Sequence, residues 1–436
     1  MTTDTLAPHA LLHQEARALL TRLARVRPFS LIMPMVPAAA LLPPAQSAVE
    51  SFLARGRREL RQRVAEFIGW LESDEGRSAK PSDAQRRFTF LRLQFNAVLT
   101  QFHIFAAVLN QRCEHETGTW LSGLDVAAAD AFALPDYYES PPVITYLDPG
   151  HGAAIRRART RIPGGKTPVA IIRFPRERMV GSGIASSLVH ECGHQAAELL
   201  GLVPSLRAVL HAMGRVKSPD AVAWRLWERW ISEIIADCWA VANVGITATI
   251  GMLGVVSLPR IFVFRLDPDD PHPNAFFRVL LGCALGQALY PHPQWDALAH
   301  TWEELYPPHD LPEPLRSLFP AIERTLPALV ELMLEHRPQA LRGKSLREAL
   351  PIRERQPAKL FSTFADWQEH PENMRNARPS LVFAVIGQAR AGGLISPHHE
   401  SKLIGNALTD WALQTTVNMS AICAETAHRR ERRLAS

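Results

Sequence analysis

The sequence predicts a mainly α-helical protein with a small sheet, an α+β fold built around a sizeable core. Two observations support this prediction. Apolar residues at helical spacing fill most of the 436-residue chain, and prolines separate these stretches at intervals of about one helix length. Strand patterns are confined to the middle of the chain, where 168–175 has the pattern of a short strand bounded by proline.

The N-terminal region, residues 1–114, is predicted to consist of helices. Apolar residues recur at helical spacing over 9–27, 46–73 and 83–112. The central region, residues 115–290, begins with short runs rich in proline, glycine and tyrosine. Within them, 141–152 fits a strand followed by a turn, and helices are predicted further along over about 184–200 and 219–244.

The C-terminal region, residues 291–436, is again predicted to be helical, with prolines between the helices. Its charged segment 338–360 is bounded by proline and fits a linker. These changes of pattern at 114 and 290 are the predicted domain boundaries. The sequence has no feature that indicates an oligomeric state.

Composition restricts the class of protein. With 47% apolar and 21% charged residues, the chain is neither disordered nor fibrous. The net charge of +5 is small for this length, so we expect no nucleic-acid partner. Five scattered cysteines without a C-x-x-C pair argue against a disulfide framework and a cysteine zinc finger. Because the N-terminus also lacks the pattern of a signal peptide, we expect a cytoplasmic protein.

The helix predicted over 184–200 contains the pattern H-E-x-x-H, formed by His190, Glu191 and His194. Four residues along a helix turn through about 400°, so the two histidines share a face and can reach one metal ion. Glu191 is placed to take a proton from a water molecule. The alternative is a helix with two partly buried, hydrogen-bonded histidines, but chance gives only about 0.04 such patterns in a chain like this one. Cys192, between the histidines, fits a small packed residue better than the alternative of an oxidation-sensitive or inhibitory thiol.

A second pair of polar residues, Glu233 and Asp237, also shares one face of a predicted helix. The residues around them are apolar, so a solvated acidic face fits poorly and two buried carboxylates need partners. Catalytic zinc commonly takes two histidines and one glutamate as ligands, which makes Glu233 the candidate third ligand. Asp237 is placed to bind the other ring nitrogen of a ligand histidine. The sequence therefore predicts Zn²⁺ as the cofactor.

The combination of H-E-C-G-H with the downstream E-x-x-A-D resembles the gluzincin metallopeptidases. The resemblance implies a zincin-like catalytic core, with a small sheet and two metal-ligand helices, between the N- and C-terminal helical regions. It implies that His190, His194 and Glu233 bind zinc. It also implies that Glu191 is the general base and that Asp237 orients a ligand histidine.

A third segment, H-P-x-x-x-x-R from His272 to Arg278, resembles the segment that follows the third ligand in HtpX-like peptidases. This resemblance, which covers 168–290, implies that His272 lies near the metal and assists catalysis by stabilising the oxyanion. Arg278 would then hold the loop or a carboxylate. A histidine at the entry of a helix is an equal alternative for His272, and Tyr290 is a second candidate donor.

Because HtpX-like peptidases are membrane-embedded, the uncharged stretch 238–259 is a candidate membrane-spanning segment. Its 22 residues are enough to span a bilayer. Three glycines and several polar residues interrupt it, however, and no cluster of cations flanks it. We therefore expect two buried helices joined by a turn, and a membrane-associated HtpX-like protease is the less favoured alternative.

The predicted function is a zinc metallopeptidase that cleaves within a particular protein or peptide substrate. We expect the strand at 168–175 to be an edge strand that pairs with the extended substrate. Two other functions fit the same residues. One is a zinc-site protein that has lost catalysis and serves as a binding or sensor module, and the other is an enzyme that hydrolyses a non-peptide amide. The complete set of ligands and base favours an active peptidase.

Overall fold

The computed structural model of the protein describes residues 7–149, 152–267 and 270–435. Helices make up 73% and strands 5% of the residues, so the prediction of a mainly α fold with a small sheet is confirmed. The first six helices are α1 (Pro8–Ala24), α2 (Phe29–Ile32), α3 (Pro43–Glu72), α4 (Asp74–Ser78), α5 (Pro81–Asn110) and α6 (His115–Ala131). Proline opens α1, α3 and α5, where its missing N–H would have no partner within the helix.

Five strands follow α6: β1 (Val143–Asp148), β2 (Ala154–Arg156), β3 (Arg161–Ile162), β4 (Gly165–Lys166) and β5 (Ala170–Pro175). β5 is the middle strand of a three-stranded sheet, parallel to β1 and antiparallel to β2, while β3 and β4 pair separately. The expectation that 168–175 is an edge strand is therefore wrong, because β2 covers that edge. The strand predicted within 141–152 is β1, and the turn predicted after it lies partly outside the described residues.

The rest of the described chain is helical. Its helices are α7 (Gly181–Leu199), α8 (Leu202–Arg215), α9 (Ala221–Val244), α10 (Ile246–Val256), α11 (Arg260–Val263), α12 (Ala275–Leu289), α13 (Gln294–Leu305), α14 (Leu315–Leu334), α15 (Leu346–Ala349), α16 (Pro357–Glu369), α17 (Pro371–Asn376), α18 (Pro379–Ala391) and α19 (Pro397–Ala435). Short 3₁₀ turns occur at Pro37–Ala39, Gln111–Cys113, Arg176–Arg178, Gln339–Leu341 and Ile352–Arg355.

The three-stranded sheet lies between two clusters of buried apolar side chains. Ile144 and Ile171 point into the smaller cluster, which α1, α3 and α5 complete. Their neighbours Val143 and Ile172 point into the larger cluster, as the alternation of side chains along a strand requires. The larger cluster contains residues of α6 to α10 and of most helices that follow them, and α7 and α9 lie within it.

A very close helix contact joins α7 to α9. A β-carbon on Gly193 of α7 would lie 2.8 Å from the Cα atom and 2.9 Å from the carbonyl oxygen of Ala236 in α9. Glycine is therefore required at this position if the two backbones are to approach so closely. The contact sits between His190 and His194 on one helix and next to Glu233 on the other.

The uncharged stretch 238–259 is divided between α9 and α10 at Gly245, whose φ of +59° favours glycine. Most of its side chains are buried, so two buried helices joined by a turn are what the structure contains. Among the described residues, no single helix is both long and apolar enough to cross a membrane. α7 and α8, bent by 79°, meet the requirements of length and composition only as a pair.

The interpretation of 338–360 as a linker is wrong. Arg355 in this segment is buried, and its guanidinium donates to the carbonyl of Asn243 at 2.7 Å and to the hydroxyl of Ser380 at 3.1 Å. Asn243 lies at the end of α9, where carbonyl groups have no partner within the helix. Arg355, one of the charged residues that suggested an exposed segment, thus binds a free carbonyl group at the C-terminus of the buried helix α9.

We expect Gly193→Ala to lower the free energy of unfolding by about 1–3 kcal/mol, because the added methyl group overlaps the backbone of α9. The matched control is Gly69→Ala in α3, where a β-carbon meets no atom within 4 Å. Alanine should stabilise that exposed helical position by roughly 0.5–1 kcal/mol. Urea denaturation followed by circular dichroism measures both variants, and equal stabilities would contradict the close contact.

Candidate metal centre

Three predicted ligands converge where α7 crosses α9. His190 and His194 come from α7 and Glu233 comes from α9, and their candidate ligand atoms all lie within 4.8 Å of one another. The Oε2 atom of Glu233 is 3.3 Å from Nε2 of His190 and 3.4 Å from Nε2 of His194. All three side chains are largely shielded from solvent. The protein therefore contains a group of side chains that could hold a metal ion.

The Oε2 atom of Glu233 tests whether a metal ion fits this group. It is buried, yet no neighbour in the described residues is oriented to donate a hydrogen bond to it, and leaving a buried acceptor unpaired costs about 1–3 kcal/mol. Zinc bonds of about 2.0–2.1 Å place two tetrahedral ligand atoms roughly 3.4 Å apart. The separations of 3.3 and 3.4 Å from the two imidazoles match this value. The position of the Glu233 carboxylate relative to both imidazoles thus fits a tetrahedral ion, which would also satisfy this oxygen.

Asp237 holds the ring of His190 from the side opposite Glu233. Its Oδ1 atom is 2.7 Å from Nδ1 of His190. Arg278 of α12 binds the same carboxylate with two hydrogen bonds, from Nε at 2.7 Å and from Nη2 at 2.8 Å. With Nδ1 donating to Asp237, the Nε2 lone pair of His190 faces the centre. Asp237 is therefore placed as predicted, and of the two alternatives for Arg278 the structure shows the carboxylate.

The charges of this network shift the pKa values of its members. Burial alone would raise the pKa of Asp237, but Arg278 and His190 together hold it below the usual range of a carboxyl group. Burial alone would lower the pKa of His190, but the Asp237 carboxylate raises it to about 9. The pKa of Glu233 is lowered by the three nearby imidazoles of His190, His194 and His272, against the effect of burial. Both acidic residues of α9 are therefore carboxylates near neutral pH.

Glu191 is buried next to the two ligand histidines and makes no hydrogen bond to a described residue. Burial raises the pKa of Glu191, while the imidazoles of His190 and His194 act in the opposite direction. Its carboxyl group lines a cavity beside the ligands. This is a group that can exchange a proton with a molecule bound in that cavity.

His272 reaches the same centre from the loop before α12. Its Nε2 atom is 3.2 Å from Oε2 of Glu233, and its Nδ1 atom is 2.7 Å from Oδ1 of Asp270. The backbone N–H of His272 donates to the same Asp270 oxygen at 2.9 Å. His272 is 44% exposed and is not one of the three mutually close ligands. Sequence reasoning missed Asp270, although an aspartate two residues before a histidine is a typical local turn that could have revealed it.

Two residues that the sequence placed close to the site face other groups. The hydroxyl of Tyr290 is buried and donates to the carbonyl of Ala242 at 2.6 Å, so the expectation of a second oxyanion donor is wrong. Cys192 is buried with its thiol 3.7 Å from the carbonyl of Ala128 in α6. Burial raises the pKa of this thiol, and the prediction of a packed small residue is confirmed.

Two cavities meet at the centre. The first, of about 120 Å³, extends from His190 and Glu191 between α7, α10 and α12. The second, of about 410 Å³, extends from His272 along the segment between α10 and α12. Gly152 and Ala153, directly before β2, line both cavities. β2, one of the two edge strands of the three-stranded sheet, therefore begins beside the candidate ligands.

Comparisons of the chain with protein-family models, with curated proteins and with solved structures gave no match. The candidate metal centre therefore depends on two observations. One is the H-E-x-x-H pattern with its downstream acidic pair, and the other is the position of these side chains in the structure.

We expect the protein to bind about one zinc ion per chain and both His194→Ala and Glu233→Gln to lose it, because each removes one of three ligands. His300→Ala is the matched control, since His300 is exposed on α13 and contacts Glu304 at 3.5 Å. Zinc content after dialysis against a competing chelator, measured by mass spectrometry, decides the outcome. Retention of zinc by the two ligand variants would show that the ion binds elsewhere.

Asp237→Asn should weaken zinc binding by roughly 10- to 100-fold without abolishing it, because Asp237 orients His190 and does not reach the ligand group itself. Asp220→Asn, at the start of the same helix, is the control. Competition with a fluorescent zinc chelator gives the dissociation constants, and circular dichroism confirms that each variant is folded. An unchanged affinity in folded Asp237→Asn would refute this role.

Proposed function

We propose that this protein is a zinc metallopeptidase that hydrolyses peptide bonds within a protein substrate. One observation carries the proposal. Three candidate metal ligands and the buried carboxyl group of Glu191, which has no hydrogen-bond partner among the described residues, lie together where two cavities meet. A purely structural metal site would need neither a neighbouring base nor adjoining space for a ligand.

The proposed chemistry divides between the cofactor and the protein. A zinc ion held by His190, His194 and Glu233 would supply Lewis-acid chemistry, which lowers the pKa of water and polarises a carbonyl group. Glu191 accepts the proton of the attacking water and passes it to the leaving amine. The raised pKa that burial gives Glu191 supports both steps, since a base closer to neutrality both accepts and returns a proton readily.

His272 is the proposed donor to the oxygen that gains negative charge during the reaction. It lines both cavities, and Asp270 fixes its ring through Nδ1. The nearby Glu233 carboxylate raises the pKa of His272, which favours the protonated ring that can donate from Nε2. Arg278 lines the same two cavities, and it acts by holding Asp237 and through it His190.

We propose that the substrate lies in extended form along β2. This strand forms one edge of the three-stranded sheet, and an extended peptide can add to such an edge through backbone hydrogen bonds. Gly152 and Ala153, just before β2, line both cavities, so a peptide on this edge would pass the ligand group. The two cavities would then receive the side chains on either side of the cleaved bond.

Glu191→Gln should lower turnover by about 100- to 10,000-fold while zinc content stays unchanged, because glutamine cannot accept the proton of water. The matched control is Glu198→Gln, two turns later on α7, where the exposed carboxylate pairs with Arg157 at 3.0 Å. Cleavage of a proteome-derived peptide library, read by mass spectrometry, compares the three proteins. Equal cleavage by wild type and Glu191→Gln would exclude Glu191 as the base.

A wild-type protein that binds zinc but cleaves no peptide in this library would contradict the peptidase proposal. Such a result would favour a zinc site that serves in binding or sensing. Hydrolysis of small amides without cleavage of any peptide would instead indicate an amide hydrolase.

A further inference from the structure

Arg178 is a cationic side chain of the first cavity that the proposed hydrolysis does not use. It ends the 3₁₀ turn Arg176–Arg178 just before α7 and is partly buried. Within the described part of the chain, its guanidinium makes no hydrogen bond and no ion pair. Arg278, which lines the same cavity, differs because the Nε and Nη2 atoms of its guanidinium both donate to Asp237.

The two arginines that precede Arg178 in the sequence have acidic partners. Arg173 lies 3.5 Å from Asp148, and Arg176 lies 3.4 Å from Glu114. Arg178 instead turns toward α10, where a β-carbon on Gly254 would be 3.9 Å from its Nη1 atom. The guanidinium therefore stands between α7 and α10, at the wall of the cavity.

The partly buried surroundings of Arg178 make its positive charge unfavourable unless an anion binds beside it. Burial lowers the pKa of Arg178, and the carboxylate of the adjacent Glu177 opposes this only in part. Removing a charge from water without pairing it is costly, and a guanidinium binds a carboxylate through two parallel hydrogen bonds. A ligand with a carboxylate would therefore gain more from this cavity than a neutral ligand of the same shape.

The other cationic groups of the cavity have acidic partners within the protein, since Arg278 and His190 contact Asp237, and His272 contacts Glu233 and Asp270. Asp237 is neutralised by Arg278 and His190, and Glu191 lies beside the metal ligands. Much of the remaining wall is apolar, with Val241, Ala248, Met252 and Val255 among its residues. A short aliphatic group that ends in a carboxylate matches both the apolar wall and the cation.

We propose that Arg178 binds a carboxylate of the substrate within the first cavity, a proposal that rests on the peptidase function above. Two sources of this carboxylate share the same chemistry. One is the C-terminus of a peptide, and the other is the side chain of an aspartate or glutamate next to the cleaved bond. Arg178 would thus determine specificity without taking part in the chemical step.

Binding of small ligands tests Arg178 independently of catalysis. Zinc-loaded wild type should bind glutarate about 10- to 100-fold more tightly than its monoamide, glutaramate, as measured by calorimetry, because only glutarate offers a second carboxylate. Arg178→Gln should lose this preference and Arg178→Lys should keep part of it. Arg176→Gln is the matched control, since Arg176 lies in the same turn, is exposed and does not line the cavity. Equal preference in wild type and Arg178→Gln, or none in wild type, would overturn the proposal.

Peptide substrates then identify the source of the carboxylate. Each cleaved peptide is compared with a free or an amidated C-terminus, and with glutamate or glutamine directly after the cleaved bond. One of the two changes, amidation of the C-terminus or glutamine in place of glutamate, should lower kcat/KM by about 10- to 100-fold in wild type. The same change should have little effect in Arg178→Gln. The change that lowers kcat/KM identifies which carboxylate Arg178 binds.

Equal rates for all four peptides would overturn the role of Arg178 but leave the peptidase proposal standing. If no peptide were cleaved at all, the peptidase proposal would fall, and the preference for glutarate would still test the role of Arg178.

Discussion

The close contact between Gly193 and Ala236 is the constraint on which the candidate metal centre depends. Metal bonds of about 2 Å leave little tolerance, so ligands from two helices must be positioned to within a few tenths of an ångström. Gly193 lies between the two histidines of α7, and Ala236 lies between the two carboxylates of α9. A side chain at the contact would separate the helices where their candidate ligands meet. The smallest residue is therefore placed where precision is needed, inside the motif itself.

A chain of buried charges extends this constraint to a third helix. Arg278 of α12 binds Asp237 of α9, and Asp237 binds His190 of α7. Each of these groups would be costly to bury alone, and each is stabilised by the next. These pairs form in an apolar core. The relative positions of α7, α9 and α12 are therefore fixed by directional hydrogen bonds as well as by the packing of apolar side chains. Arg355 acts similarly on a smaller scale, by closing the C-terminus of α9.

Features that depend on local periodicity could be predicted from the sequence, whereas distant pairing could be predicted only where a known set of metal ligands indicated it. Helical spacing placed His190 with His194 and Glu233 with Asp237, and the structure brings both pairs together. The three residues of β2 are too few to show an alternating pattern, so nothing local revealed that β5 has a neighbour on each side. The charged segment around Arg355 was misjudged for the same reason, because its partner lies 112 positions away in the chain.

The two arginines of the first cavity show why pairing, more than residue type, separates structure from function. The Nε and Nη2 atoms of Arg278 both donate to a buried carboxylate, and its charge is used within the protein. Arg178 has no such partner among the described residues, although it too loses part of its solvation. An internally satisfied charge fixes the fold, whereas an unsatisfied charge in a cavity favours ligands of opposite charge. The sequence alone does not distinguish the two arginines. Their surroundings indicate a structural role for Arg278 and a role in substrate binding for Arg178.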